Sequence, residues 1–351
     1  TSIIVRELQA GNFSIARFYE RRVRRILPAL VVVLVGTLLL GLLLLNPAQL
    51  EDLGKAAAAT SVFSSNIFFF LGAGYFDGPS ELKPLLHTWS LAVEEQFYIL
   101  FPFVLILIAR YAGGKFGGWL TALALLSFIA CVAYTPQDET ATFYLIPFRA
   151  WELLIGGILA VQLFRPLENK AARNLLSAAG LVMMLVAVFM FTPETLFPGY
   201  TAALPTLGTA LIIYAGTGST SLVVNRVLAT RPMVFVGLIS YSLYLWHWPG
   251  VVYAKHYLIN EPTDAEKVVI LVAIFIVSIL SWRFIETPFR DRRRFAPRER
   301  LFAISAGVFA VIVAANLFVV SKDGFPDRDT GASLSAELIA DPGWQHWKDC
   351  E

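Results

Sequence analysis

The sequence predicts an all-α polytopic membrane protein with about nine transmembrane helices of roughly 20 residues each. Three observations predict it. Of the 351 residues 57% are hydrophobic and 15% are charged, which leaves too little polar surface to coat a soluble globule of this length. Apolar windows of roughly 17 to 25 residues, long enough to cross about 30 Å of hydrocarbon, recur with short polar breaks between them. The arginines gather at the window edges, first in FYERRVRRILPALVVVLVGTLLLGLLLL from Phe18 to Leu45. The formal charge of +2 hides this segregation, which argues for topology rather than for nucleic-acid binding.

The first residues, TSIIV, read as the last turn of an apolar helix already under way, so the chain is expected to be an N-terminally truncated fragment without a signal peptide. The spans then run 26 to 46, 85 to 109, 116 to 135, 143 to 164, 174 to 191, 200 to 216, 232 to 255, 266 to 286 and 301 to 320. One further window, Ala56 to Phe76, is ambiguous because Thr60, Ser61, Ser64, Ser65 and Asn66 interrupt its phenylalanines. Charge decides it. If this window does not cross, Arg110/Lys115, Arg165/Lys170/Arg173, Arg226/Arg231 and the run RDRRRFAPRER at 290 to 300 all join Phe18 to Arg25 inside, and the acidic PQDET falls outside. If it does cross, those later basic loops all land outside. Residues 47 to 86 are therefore expected to form an external or re-entrant segment, covered by protein or lining a wet cavity, and so a candidate roof for a site. The tail from Ser321 emerges outside with the linker chemistry of DGFPDRDTGAS. Cys131 reads as a packing residue, and Cys350, in the tail, would pair only with a partner beyond this chain.

Ionisable groups at membrane depth are expensive, so they carry the functional signal. Arg22 and Arg25 lie i, i+3 on one helical face, as do Arg21 and Arg24. The block orients its helix, and its spacing also lets two guanidinium forks converge on a phosphate-bearing ligand. In HTWSLAVEEQFYILFP, helical spacing puts His87, Leu91, Glu94 and Tyr98 on one face with Glu95 adjacent, a set that can hold or relay a proton or simply pair with an arginine elsewhere. In SYSLYLWHWP, Ser240, Tyr244 and His247 share a face beside Tyr241, and Pro249 removes a backbone hydrogen bond just beyond. This stripe suits a base, a structural histidine or an interfacial aromatic belt. In PFRAWELLIGG, Arg149 and Glu152 are spaced to pair with each other, and Gly156 and Gly157 would let another helix approach. No carboxylate and histidine set has metal-ligand spacing on one helix, so no metal is expected.

FYERRVRRILPAL, LLHTWSLAVEEQFYILFP, PFRAWELLIGG, SYSLYLWHWP and WRFIETPFR, in this order across almost the whole chain, resemble membrane-bound acyltransferase family 3. More closely, they resemble its branch with a C-terminal periplasmic SGNH hydrolase-like domain, the bacterial O-antigen and peptidoglycan O-acetyltransferases. The resemblance implies about eleven helices in an intact chain, the first two of them upstream of Arg6. It divides this chain into an acyltransferase membrane domain over 1–300, an additional helix at 301–320 and a periplasmic linker at 321–351 toward an SGNH domain. It implies that Arg22 and Arg25 bind the phosphates of an acyl-CoA donor, acetyl-CoA most commonly. It also implies that Glu94 or Glu95 fills a functionally important acidic position, and that Ser240, Tyr241, Tyr244 and His247 belong to a characteristic motif. Glu286 reads equally as an arginine clamp or a ligand contact.

The family's catalytic histidine stands in its first helix at a fixed spacing after an arginine. None of His87, His247, His256 or His346 has an arginine at that spacing, so this residue is expected upstream of Thr1, and the fragment itself is expected to be inactive. The expected catalytic residues in this chain are Glu94, Glu95 and His247. Those expected to bind substrate are His87, Tyr98, Arg149, Glu152, Ser240, Tyr241 and Tyr244. The activity implied is transfer of an acyl group from cytoplasmic acyl-CoA to a carbohydrate hydroxyl outside a bacterial inner membrane, with membrane lipid and a glycan as partners and no nucleic acid. The oligomeric state stays open. The competing reading is a polytopic transporter or flippase, but no internal repeat supports it. A membrane anchor would need neither so many spans nor a polar stripe.

Overall fold

The computed structural model describes residues 1–73, 80–162, 165–217, 222–258, 261–290 and 297–328. Residues 291–296 of the arginine-rich run, and the tail from 329 with His346 and Cys350, lie outside the described residues. The described chain is helical. In order it forms α1 (Ser2–Gln9), α2 (Ile15–Leu44), α3 (Pro47–Ser61), α4 (Ser65–Gly72), α5 (Thr88–Tyr111), α6 (Phe116–Tyr134), α7 (Glu139–Tyr144) and α8 (Ile146–Ala160). Then come α9 (Lys170–Met190), α10 (Ala203–Gly216), α11 (Val223–Leu228), α12 (Arg231–Tyr257) and α13 (Asp264–Ser281). A π-helical turn, Trp282–Glu286, leads into α14 (Thr287–Arg290), and α15 (Arg298–Ser321) follows.

Each expected span is occupied by helix, and among the described residues seven helical stretches are long and apolar enough to cross a membrane. Two of the nine expected spans fall short of that standard. The helix Ala203–Gly216 has only 14 residues, and Arg231–Tyr257 has 27 but carries too many polar and aromatic side chains. The ambiguous window from Ala56 is not one helix. It breaks between α3 and α4 where Phe63 takes φ 54°. Thr60 and Ser61 turn their hydroxyls back onto the carbonyls of Ala56 and Ala57, the local competition that weakens a helix from within. Neither half is long enough to span, as the charge argument requires. An Asn46/Gln49 capping box with Pro47 in the first turn fixes the start of α3.

The chain divides into two compact units, one of Thr1–Ile15 with Ser90–Leu238, the other of the described residues in Ala16–Trp89 and Ile239–Glu351. In the first unit α9 and α10 meet at Gly180 and Gly208, and a Cβ on either glycine would run into the other's carbonyl oxygen. Arg173 ties the same pair together by donating to the carbonyls of Ala215 (2.9 Å) and Thr217 (2.7 Å). Between α6 and α8 the Ser127 hydroxyl is inserted into the helical ladder, accepting from Trp151 N and donating to Pro147 O. Of the two expected close-approach glycines only Gly157 serves, lying 3.5 Å (by its ideal Cβ) from Phe101. Gly156 faces open space. Cys131 is buried, as a packing residue should be.

In the second unit α2 packs on α12. The indole of Trp246 lies over Gly36, and Tyr253 donates to the Thr37 carbonyl at 2.5 Å. α15 packs on α3 where Gly54 leaves room for the Asn316 carbonyl and Val320. Gly180→Ala, which places a methyl on a backbone oxygen, should cost about 1–3 kcal/mol or more. Gly307→Ala, in open space on α15, should be neutral or stabilising by up to about 1 kcal/mol. Thermal melting of both variants in detergent checks the contrast.

Candidate functional site

The buried residues of α12, Ile239, Ser242, Leu245, Pro249, Val252 and Tyr253, recur every three or four positions and define its inner stripe. Polar side chains on and beside that stripe reach three other segments of the second unit. At one end, Ser242 Oγ donates to Glu286 Oε2 at 3.2 Å, and the Tyr241 hydroxyl donates to the Ile26 carbonyl at 3.0 Å. Glu286, 2% exposed, also receives Arg290 Nη1 at 3.3 Å and lies in the field of Arg25. It is therefore an arginine clamp, held at the end of a π-turn, a local form often retained where a helix must aim a side chain.

The arginine block is sorted by this geometry. Arg24 is buried and paired to Glu20 at 3.1 Å, Arg22 is half-buried, and Arg25 is exposed. Spacing alone had offered Arg21/Arg24 on equal terms with Arg22/Arg25. Glu20, four residues before Arg24, was the signal for its partner.

Further along α12 the Tyr244 hydroxyl donates to the His87 carbonyl at 2.6 Å, and the Trp248 indole donates to the Lys83 carbonyl at 2.8 Å. Near the end of the helix His256 approaches the Leu82 carbonyl at 3.2 Å, and Lys255 pairs with Glu81 at 3.3 Å. Residues 81–87 are thus stitched along α12. The ring of His87, only 7% exposed, lies 5.2 Å from that of Tyr244 and 5.5 Å from that of His247. Proline has no N–H, so Pro249 deprives the Leu245 carbonyl of its intrahelical donor. On the other flank the Thr88 and Thr60 hydroxyls share a 2.9 Å hydrogen bond, which joins α5 to α3.

His247 is half-buried, and its Nδ1 lies 2.6 Å from the Tyr244 carbonyl and 3.3 Å from that of Leu243. A carbonyl only accepts, so Nδ1 carries the proton. The neutral ring therefore presents its lone pair at Nε2, the tautomer of a base held by its own helix.

Ser240 is exposed, and the serine that α12 buries is Ser242. Sequence reasoning followed Ser240 because it shares a face with Tyr244, and missed Ser242, which falls in phase with the inner stripe of Ile239, Leu245 and Pro249. Trp248 was also missed, although a tryptophan taken into an apolar bundle must find an acceptor for its N–H.

The first unit holds the remaining expected residues. Of the two adjacent glutamates in α5, Glu95 is buried at 7% exposure and Glu94 is exposed, whereas His87 and Leu91 of the expected face are buried. Tyr98 is half-buried. Arg149 and Glu152 pair at 3.1 Å, and the guanidinium stands over the rings of Phe143 and Phe197. The two charges pair with each other, as their spacing suggested.

A bundle with this lining defines a class before it defines a family: a multi-pass α-helical membrane protein that carries histidine, tyrosine and carboxylate groups in its interior. The chain belongs to acyltransferase family 3, whose model, described as Acyltransferase domain, matches residues 8–283. It is 29% identical over 306 residues to the peptidoglycan O-acetyltransferase OatA of Listeria monocytogenes serovar 1/2a (strain ATCC BAA-679 / EGD-e), covering 83% of this chain and 49% of that protein. It is 26% identical over 340 residues to the O-acetyltransferase OatA of Staphylococcus aureus (strain NCTC 8325 / PS 47), covering 91% and 55%. It is 30% identical over 317 residues to BcsY of Komagataeibacter xylinus, provisionally named a membrane-bound transacylase, covering 87% and 79%. The chain spans about half the length of the two OatA relatives. No solved structure matches it.

Removing the Ser242 hydroxyl leaves a buried carboxylate short of a donor, so Ser242→Ala should cost about 1.5–3 kcal/mol. Ser240→Ala should stay within about 0.5 kcal/mol of the parent. Unfolding in detergent measures both.

Proposed function

We propose that this chain is the membrane part of an O-acyltransferase that moves an acyl group, acetyl from cytoplasmic acetyl-CoA, to a hydroxyl of an exported carbohydrate. The names of the OatA relatives support the carbohydrate acceptor. The observation that carries the chemistry is the fixed tautomer of His247, which leaves Nε2 basic beside Tyr244 and the buried His87.

The arrangement suits a donor entering from the arginine end. Arg22 and Arg25 share a face of α2, and their i, i+3 spacing lets the two guanidinium forks converge on CoA phosphates. Charge bias puts that end in the cytoplasm, so the protein lies in a bacterial cytoplasmic membrane and its tail leaves on the periplasmic side. At the thioester, an acceptor hydroxyl gives its proton to a histidine base, the upstream residue that the family resemblance implies or His247 Nε2 in this chain, as its oxygen attacks the acyl carbonyl. Collapse of the tetrahedral intermediate breaks the C–S bond, forms the ester and releases the CoA thiolate, which takes the proton back. Stitching residues 81–87 to α12 holds the histidine in place and keeps bulk water from its inner face. Within the first unit, Glu95, the buried carboxylate of α5, is the residue we propose in preference to Glu94 for the acidic position that the family resemblance implies.

The intact gene, expressed in cells that lack it, should add acyl mass to envelope glycans seen by mass spectrometry. His247→Gln should lower that transfer by about 10²–10⁴-fold with insertion unchanged. Glu95→Gln should reduce it far more than Glu94→Gln. The double variant Arg22→Ala/Arg25→Ala should abolish acyl-CoA binding, and normal binding by this correctly inserted variant would remove the donor-site assignment.

A further inference from the structure

Within the second unit, α3, α4 and residues 82–85 enclose a cavity of about 290 Å³. This is the segment expected to roof a site. Its floor is apolar, with Leu53, Leu85 and the rings of Phe68 and Phe69 packed edge to face at 5.2 Å. Its rim carries Gln49, Asp52, Lys55 and Lys83.

The rim chemistry narrows the occupant. Lys55 is held by Glu51 at 2.8 Å and Asp52 at 3.6 Å, so its charge is already matched by two carboxylates. Glu51 first, and then Asp52, hold its ammonium above the ordinary lysine range. Gln49 gives its Oε1 to the Asn46 N–H in the capping box, which leaves the amide nitrogen as a donor. No arginine lines the cavity, and the Asp52 carboxylate opposes an anion there. What remains is a ring of mixed donors and acceptors, near neutral in charge, above an aromatic floor. A pyranose has that pattern in reverse, with hydroxyls around its edge and a face of C–H groups. The volume sits at the lower end of small-molecule sites, about 300–1,000 Å³, which suits one sugar ring rather than a lipid chain.

The cavity wall also touches the histidine cluster through the backbone. Leu82 and Lys83, which line it, offer their carbonyls to His256 and Trp248 of α12, and His87 follows a few residues on. We propose that this cavity is a binding site for one neutral hexose or N-acetylhexosamine ring of the acceptor glycan. The word acceptor rests on the acyl-transfer reading, but the binding itself does not.

The intact protein in nanodiscs, without acyl donor, would be titrated with glucose, galactose, N-acetylglucosamine and N-acetylgalactosamine, with binding followed by saturation-transfer NMR. At least one should bind saturably. Ala56→Trp, which fills the cavity from α3, should weaken that binding by about tenfold or more. Asp52→Asn, an exposed change that leaves melting unaltered, should weaken it in the same direction. Absence of binding by all four sugars, or unchanged binding in a folded Asp52→Asn protein, overturns the proposal. So does a cavity-filled variant that loses a polyprenyl phosphate probe while its sugar binding is intact. Release of CoA from acetyl-CoA is measured separately. Its absence removes the acyl-transfer reading and leaves the sugar result standing, whereas CoA release without sugar binding removes only this site.

Discussion

Helices in hydrocarbon have no water to turn to, so each polar group carried into their interior must find its partner inside the protein. In the second unit α12 bears most of that requirement. Its tyrosines and one tryptophan donate to main-chain carbonyls at Ile26, Thr37, His87 and Lys83, and Ser242 donates to Glu286. The bonds that satisfy α12 are the same bonds that position α2, the 81–87 segment and the π-turn. Satisfaction of polar groups and assembly of the site are therefore one process here.

This explains why the helix with the clearest chemistry falls short of the apolarity of a membrane span. A proline, two histidines, and several tyrosines and tryptophans lower its hydropathy, and Tyr241, Tyr244, Tyr253 and Trp248 among them bond to neighbouring segments. Pro249 illustrates the economy of the arrangement. By lacking an N–H it releases the Leu245 carbonyl from the helical ladder. His247 uses its own helix for the same end, fixing one ring nitrogen on Tyr244 and leaving the other for chemistry. If the acyl-transfer reading holds, the base is oriented by backbone rather than by a partner carboxylate.

The broken segment α3–α4 shows the other side of the constraint. The hydroxyls of Thr60, Ser61 and Ser64 fold back onto its own carbonyls beside the bend at Phe63. α15 holds it from one side through Gly54, and the cavity lies against it. A rigid wall is what a small binding site requires. That α15 lies beyond the matched residues 8–283 yet packs on this wall ties it to the same unit.

Sequence by itself determined the all-α membrane class and most of the apolar helical stretches, because hydropathy and span length are one-dimensional properties. It also determined the self-pairing of Arg149 with Glu152, since i, i+3 spacing sets that geometry locally. Only the tertiary structure showed that Glu95 rather than Glu94, Ser242 rather than Ser240 and Gly157 rather than Gly156 is turned against a neighbour. Each of these choices turns on which side of a helix meets a neighbour, and in a bundle that is apolar all round, periodicity carries no such preference. The stitching of residues 81–87 was likewise beyond the sequence, because it depends on where carbonyls far away in the chain meet α12.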